Sequence, residues 1–159
     1  TFLSTSVYPP AEVVNWPGRH LEWAKPDHAV LVRDSSGELI SYVGVLIRTG
    51  RINGDIVRVG GIGGVMTHPD FRGKGHAAAA IQKAIEFFRA ETNIDLALLV
   101  CEKQLLPYYG GLGWNRFPGQ LVVLQNGNPT EFTFNQVMTL GISSCNPTEG
   151  TIELDSPPW

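Results

Sequence analysis

Val65-Met66-Thr67-His68-Pro69-Asp70-Phe71-Arg72-Gly73-Lys74-Gly75-His76-Ala77 turns a strand into a helix through a cationic, glycine-rich loop. Val65–Thr67 ends a run of strand-forming residues, and Pro69 stops it. Beyond Gly75 an apolar stripe begins at helical spacing: Ala77, Ile81, Ala84, Ile85 and Phe88, with Gln82, Lys83, Glu86 and Arg89 on the wet side. Amides at a helix start have no intrahelical partner, and the helix dipole favours an anion there. Glycines let the backbone approach such an anion closely, while Arg72 and Lys74 add charge. Phosphate binding is the natural reading of this turn.

Working outward, Leu39–Ile52 is rich in Val, Ile, Leu and Tyr and reads as a long strand. Asn53-Gly54 is a strong hairpin signal, because both central residues of a type I′ turn need positive φ. The return strand, Asp55–Thr67, passes through Gly60-Gly61-Ile62-Gly63-Gly64, and glycines inside a strand mark a bulge or a close backbone approach. A short strand, Ala29–Arg33, precedes the hairpin across the polar turn Asp34–Gly37, and residues 1–28 read as short helical or irregular segments. Downstream, the helix spans Gly75–Ala90, and Leu96–Cys101 is a continuous apolar run, as expected of a strand buried on both faces. A second helix over Lys103–Leu112 ends at the C-cap glycine Gly113. Strands are expected at Trp114–Phe117, Leu121–Gln125 and Phe132–Ile142, with a turn at Asn126–Pro129 and a polar, proline-rich tail over Ser143–Trp159. The order predicts an α/β or α+β fold: one sheet with helices on its faces, forming a single domain over 1–159.

Composition narrows the function. With 159 residues, one domain is the default, able to bury on the order of 70% of its unfolded surface. Lys and Arg number 12 against 15 Asp and Glu, a net charge of −3, which argues against an electrostatic nucleic-acid binder. No apolar run reaches the length of a membrane span, and no signal-peptide pattern opens the chain, which begins at Thr1 rather than methionine. Cys101 and Cys145 form neither a disulfide framework nor a metal-ligand spacing, and suit a reducing compartment. The expected location is cytoplasmic, with no membrane or nucleic-acid partner; homodimer formation is left open.

Three phosphate motifs compete for the turn. A Walker loop fails, because Gly75 follows Gly73-Lys74 where Ser or Thr is required and His68 stands at the first glycine. The dinucleotide fingerprint Gly73-x-Gly75-x-x-Ala78 would use Asp95, but that acid opens the second strand instead of closing it. The third is R-x-x-G-x-A, filled by Arg72, Gly75 and Ala77. By this signature the chain resembles the GNAT superfamily of acetyl-CoA-dependent N-acetyltransferases. Tyr109 with Gly113-Trp114 fills a second pattern, Y-x-x-x-G-[FW], and the likeness runs from Ala29 to Ile142.

That resemblance implies a mostly antiparallel mixed sheet, splayed at a central strand pair, and acetyl-CoA as cosubstrate. It implies that Arg72, Gly73, Lys74, Gly75, His76 and Ala77 hold the coenzyme A pyrophosphate, while Val65, Met66 and Thr67 pair with the pantetheine arm. Tyr109 would be the acid that protonates the leaving thiolate. Within the superfamily the chain is also similar to the aminoglycoside N-acetyltransferases and the nodulation acyltransferases, through the stretch Val59–Val65 and a tail ending near an aromatic residue. Where the aminoglycoside enzymes carry a Glu that acts through water, this chain has Gly63. Glu102 is one substitute for it. The tail offers others, Asp155 and the carboxylate expected at Trp159, as acceptor-binding groups. The reading that results is transfer of an acetyl group to a small-molecule primary amine by direct attack in a ternary complex. A non-catalytic acyl-CoA sensor and a protein-amine acetyltransferase are the alternatives.

Overall fold

The computed structural model describes residues 2–91, 93–143 and 146–159. Two short helices, α1 (Phe2–Val7) and α2 (Pro10–Asn15), and a 3-10 turn at Pro17–His20 precede the first strand. Strands β1 (His28–Arg33), β2 (Leu39–Ile52) and β3 (Asp55–Thr67) are antiparallel neighbours. At the hairpin tip Asn53 and Gly54 take φ of 49° and 90°, the two positive values that a type I′ turn needs. Helix α3 (His76–Ala90), β4 (Leu96–Cys101), α4 (Leu106–Gly111), β5 (Asn115–Arg116), β6 (Gln120–Gln125), β7 (Asn128–Glu131), β8 (Gln136–Gly141) and β9 (Thr151–Leu154) follow.

The sheet runs β5-β8-β4-β3-β2-β9-β6-β7, and β1 pairs with the first half of β2. Of the pairings, β3–β4 and β6–β9 are parallel and the others antiparallel, giving the mixed, mostly antiparallel sheet that the sequence led us to expect. Side chains alternate between two cores. One lies under α3 and α4, where Ala80, Ile81, Ala84, Ile85 and Phe88 meet Val43, Val45, Ile62, Ala97 and Leu99. The other lies in the curl of the sheet, where Leu46, Val59, Leu96 and Leu98 face Phe117, Leu121, Ile152 and Trp159. Gly60 is glycine because of the first core: a Cβ there would lie 2.6 Å from the Phe88 ring.

Several expectations change. The turn expected at Asn126–Pro129 gives up Asn128 and Pro129 to β7, and the strand expected at Trp114–Phe117 forms only over Asn115–Arg116. The expected strand Phe132–Ile142 forms only over Gln136–Gly141, because Phe132 and Phe134 turn out of the ladder to stack edge-on with Trp23, and Phe134 also with Trp16. Lys103–Leu112 divides into a 3-10 turn at Lys103–Leu105 and the short α4. The polar, proline-rich tail, in which no strand was expected, contributes β9, wedged between β2 and β6. Cys145 lies outside the described residues. Cys101 is buried, and desolvation followed by the Glu102 charge pushes its thiol up to about 11, so it behaves as a small hydrophobe.

Candidate active site

The site begins where the sheet comes apart. β3 and β4 are paired only at Val59↔Leu96, Gly60↔Ala97 and Gly61↔Leu98. Beyond that register Ile62–Thr67 and Leu99–Cys101 share no ladder, although β3 stays paired with β2 and β4 with β8. A bulge bends β3 away: Gly44 faces Gly63 but Tyr42 faces Met66, so β3 carries one residue more than β2 between those pairs. Gly64 absorbs the extra residue at φ 59°, a left-handed conformation that favours glycine. The result is a V whose β3 edge is left without a strand neighbour, and such an edge offers amides and carbonyls to any extended chain entering it. On the other side of β3 the Ser41 hydroxyl donates to the Met66 carbonyl and bonds the Thr67 hydroxyl, each at 2.9 Å.

The glycine turn lies at the open end of this V. Gly73 and Gly75 have φ of 74° and 81°, and a Cβ on either would meet nothing within 4 Å. Both are therefore glycines for their backbone, and the space above them is clear. The first helical bond of α3 runs from the Ala79 amide to the Gly75 carbonyl at 3.0 Å, so the amides of His76, Ala77 and Ala78 precede it. No acidic residue lies in that first turn. The Arg72 Nε–H donates to the Thr67 carbonyl at 3.1 Å, tying turn to strand, and Lys74 Nζ sits 5.4 Å from the centre of the Phe71 ring. His68 caps the intervening 3-10 turn by accepting from the Asp70 amide at 3.2 Å.

Across the V, the end of β4 delivers Cys101 and Glu102, and α4 folds back over them. Tyr109 is buried, 7% exposed, with its ring 5.1 Å from that of Tyr108. Its carbonyl accepts from the Leu112 and Trp114 amides, closing α4 at Gly113, whose φ is 95°. Burial, then the neighbouring Cys101, Tyr108 and Tyr8, hold the Tyr109 phenol well above its ordinary value, so it keeps its proton throughout the neutral range. Glu102 is exposed and accepts from the Gln104 amide group. Tyr8, at the end of α1, belongs to this neighbourhood although the sequence reading passed over it. Its phenol is raised by partial burial and by Glu102 and lowered by Arg72, so both charges act on it. The only signal in the sequence was an aromatic residue ahead of Pro9-Pro10.

The tail residues separate. Trp159 reaches the vertex of the V, where its indole Nε1–H donates to the Leu98 carbonyl at 3.0 Å. Gly61 and Gly63 make room: a Cβ on Gly61 would lie 2.7 Å from Nε1, and one on Gly63 would lie 3.2 Å from the Trp159 main chain. Asp155 does not join them. It lies beside the hairpin end of β2, within 3.5 Å of Arg51. Thus Tyr8 lies within electrostatic reach of Arg72, Glu102 and Tyr109, Trp159 lies at the vertex of the V, and Asp155 is held apart from them by Arg51.

Residues 11–117 match the family model of the acetyltransferase (GNAT) domain. Among solved structures, the GNAT family N-acetyltransferase YhbS from Escherichia coli in complex with CoA is similar at a TM-score of 0.61 and 15% identity, over 96% of this chain and 81% of that one. The NatC complex bound to Gag peptide and CoA is similar at 0.54 and 20% identity, over 71% and 70% of the two chains. A GCN5-related N-acetyltransferase from Kribbella flavida is 22% identical at a TM-score of 0.47 over 52% of this chain, which spans 21% of that protein's length. At these identities the likeness is one of fold. No curated protein matches.

Proposed function

Because this chain belongs to the GNAT acetyltransferase family, enzymes that draw their acetyl group from acetyl-CoA, we propose that it acetylates a primary amine of a small molecule, a polyamine of the aminoglycoside kind included. The observation that carries the reading is the V between β3 and β4, with an anion-ready glycine turn at its mouth and a buried, protonated Tyr109 on its far lip. Arg72, Gly73, Lys74, Gly75, His76 and Ala77 hold the diphosphate of the cosubstrate through backbone amides and two cations. Val65, Met66 and Thr67 pair with its amide-bearing arm as an added strand would.

In the reaction the amine nitrogen forms a bond to the acetyl carbon as the carbon–sulfur bond breaks. Amides of the bulged β3 edge stabilise the carbonyl oxygen, a role worth about 3–4 kcal/mol per donor where it has been measured. Tyr109 gives its proton to the departing sulfur. An alkylamine is mostly protonated at neutral pH, so a base must free it. Gly63 supplies no side chain, and Glu102, exposed at the end of β4, takes that proton directly or through water. The thioester is already activated, so no covalent enzyme intermediate is required. The chain acts as one domain over 1–159 in the cytoplasm; among the described residues no helix is long and apolar enough to cross a membrane.

The test is a thiol-release screen with acetyl-CoA against small polyamines, aminoglycosides and peptides with free amino termini. Turnover with small amines supports the proposal. Turnover confined to peptides makes the acceptor a protein amine, and binding of acetyl-CoA without any turnover makes the chain an acyl-CoA sensor.

A further inference from the structure

The vertex of the V contains a feature that acetyl transfer alone does not require. The Leu98 carbonyl belongs to the last paired residue of β4, at the point where the β3 ladder stops. It is capped by the indole N–H of Trp159 at 3.0 Å. The ring is 6% exposed and packs in the core opposite α3, against Leu98 and the curled half of the sheet. Two glycines on that face, Gly61 and Gly63, bring the backbone of β3 against it: a Cβ on Gly61 would overlap the indole, and one on Gly63 would press on Trp159 at 3.2 Å. The next residue with its side chain on the α3 face, Ile62, packs in the other core. At the vertex of the V, then, an aromatic ring is fixed against the sheet by one hydrogen bond and two missing side chains.

We propose that Trp159 sets the length of acyl group the site accepts, acting as a specificity-determining wall that admits acetyl and excludes longer chains. This rests on the reading of the V as the thioester site. An acyl chain entering between β3 and β4 extends toward the vertex, and each added methylene must displace an indole that has no room to retreat. Interiors packed to this density resist even one additional methylene.

The experiment is calorimetric binding of coenzyme A, acetyl-CoA, propionyl-CoA and butyryl-CoA to the full chain, which needs no knowledge of the acceptor. Butyryl-CoA is expected to bind at least ten-fold more weakly than acetyl-CoA. In Trp159→Ala the gap should close to within about three-fold, and in Trp159→Phe propionyl-CoA should recover before butyryl-CoA. Equal affinities for acetyl-CoA and butyryl-CoA in the unaltered protein would overturn the inference even if neither variant folds, as would an unchanged gap in a folded Trp159→Ala. Failure of coenzyme A itself to bind would overturn the thioester-site reading and this inference with it.

Discussion

In the proposed mechanism Tyr109 is the side chain on which the chemistry depends most. Tyr109→Phe removes the proton donor and nothing of the ring, so kcat should fall about 10²–10⁴-fold, as for other general acids. The acetyl-CoA dissociation constant should stay within about three-fold in calorimetry, because the proposed phosphate site lies in the Arg72–Ala77 turn. The direction of its pKa fixes a pH dependence as well. A phenol raised above its ordinary value of about 10 by burial keeps the active, protonated form as pH climbs. The alkaline limb of kcat should therefore lie above about pH 10, the point at which an unperturbed phenol would already be half ionised. Gly75→Val places a β-branched residue at φ 81° in the middle of the proposed diphosphate cradle, and should weaken acetyl-CoA binding at least ten-fold. Gly61→Val forces a side chain into the Trp159 indole and should cost about 1–3 kcal/mol in urea unfolding.

At the scale of elements, the sequence was most informative where local chemistry alone determines the backbone. The hairpin β2–β3 has the bounds that Asn53-Gly54 and its flanking apolar runs imply, and α3 starts one residue after the glycine that caps it. The bulge was legible as a glycine run, although only the pairing of Tyr42 with Met66 locates it at Gly64. The tail was not legible. Thr151–Leu154 is too short and too polar at Thr151 and Glu153 to show a strand pattern, and it becomes one because β2 and β6 both present edges to it. Asp155 illustrates the same limit: its charge suggested an acceptor site, but pairing of β9 with β2 takes it to Arg51. Tyr8 was invisible because only tertiary packing of α1 on β2 and β3 brings it to the cleft. The tail is thus part of the sheet, and removing Pro157–Trp159 deletes the Ala24 amide bond to the Pro158 carbonyl along with the buried indole. That truncation should destabilise the protein by about 3–5 kcal/mol, the range for removing a buried aromatic residue, read as a lower urea midpoint.

Across the whole molecule, stability in acid should depend on Asp27, which fastens the segment before β1 onto β2. Its carboxylate accepts from the Ile47 amide at 3.1 Å and from the Arg48 guanidinium. Desolvation pushes its pKa up, but the Ile47 amide and Arg48 outweigh that and hold it below the usual carboxylate value. A carboxyl lowered on folding contributes stability that is complete above its unfolded value of about 3.9 and disappears as pH falls through the folded one. Asp27→Asn should therefore flatten the decline of the urea midpoint below about pH 4 while leaving its neutral-pH slope alone. The same architecture underlies the proposed function: a curled sheet with β9 between β2 and β6, opened at one strand pair, with the proposed phosphate-binding turn after β3 and the proposed acid, Tyr109, after β4. The most direct measurement is a crystal structure of the acetyl-CoA complex. The expected result places the diphosphate on the amides of Gly73–Ala77 and the thioester sulfur within hydrogen-bonding reach of the Tyr109 hydroxyl. A complex with that turn empty, or with the sulfur remote from Tyr109, would contradict the account.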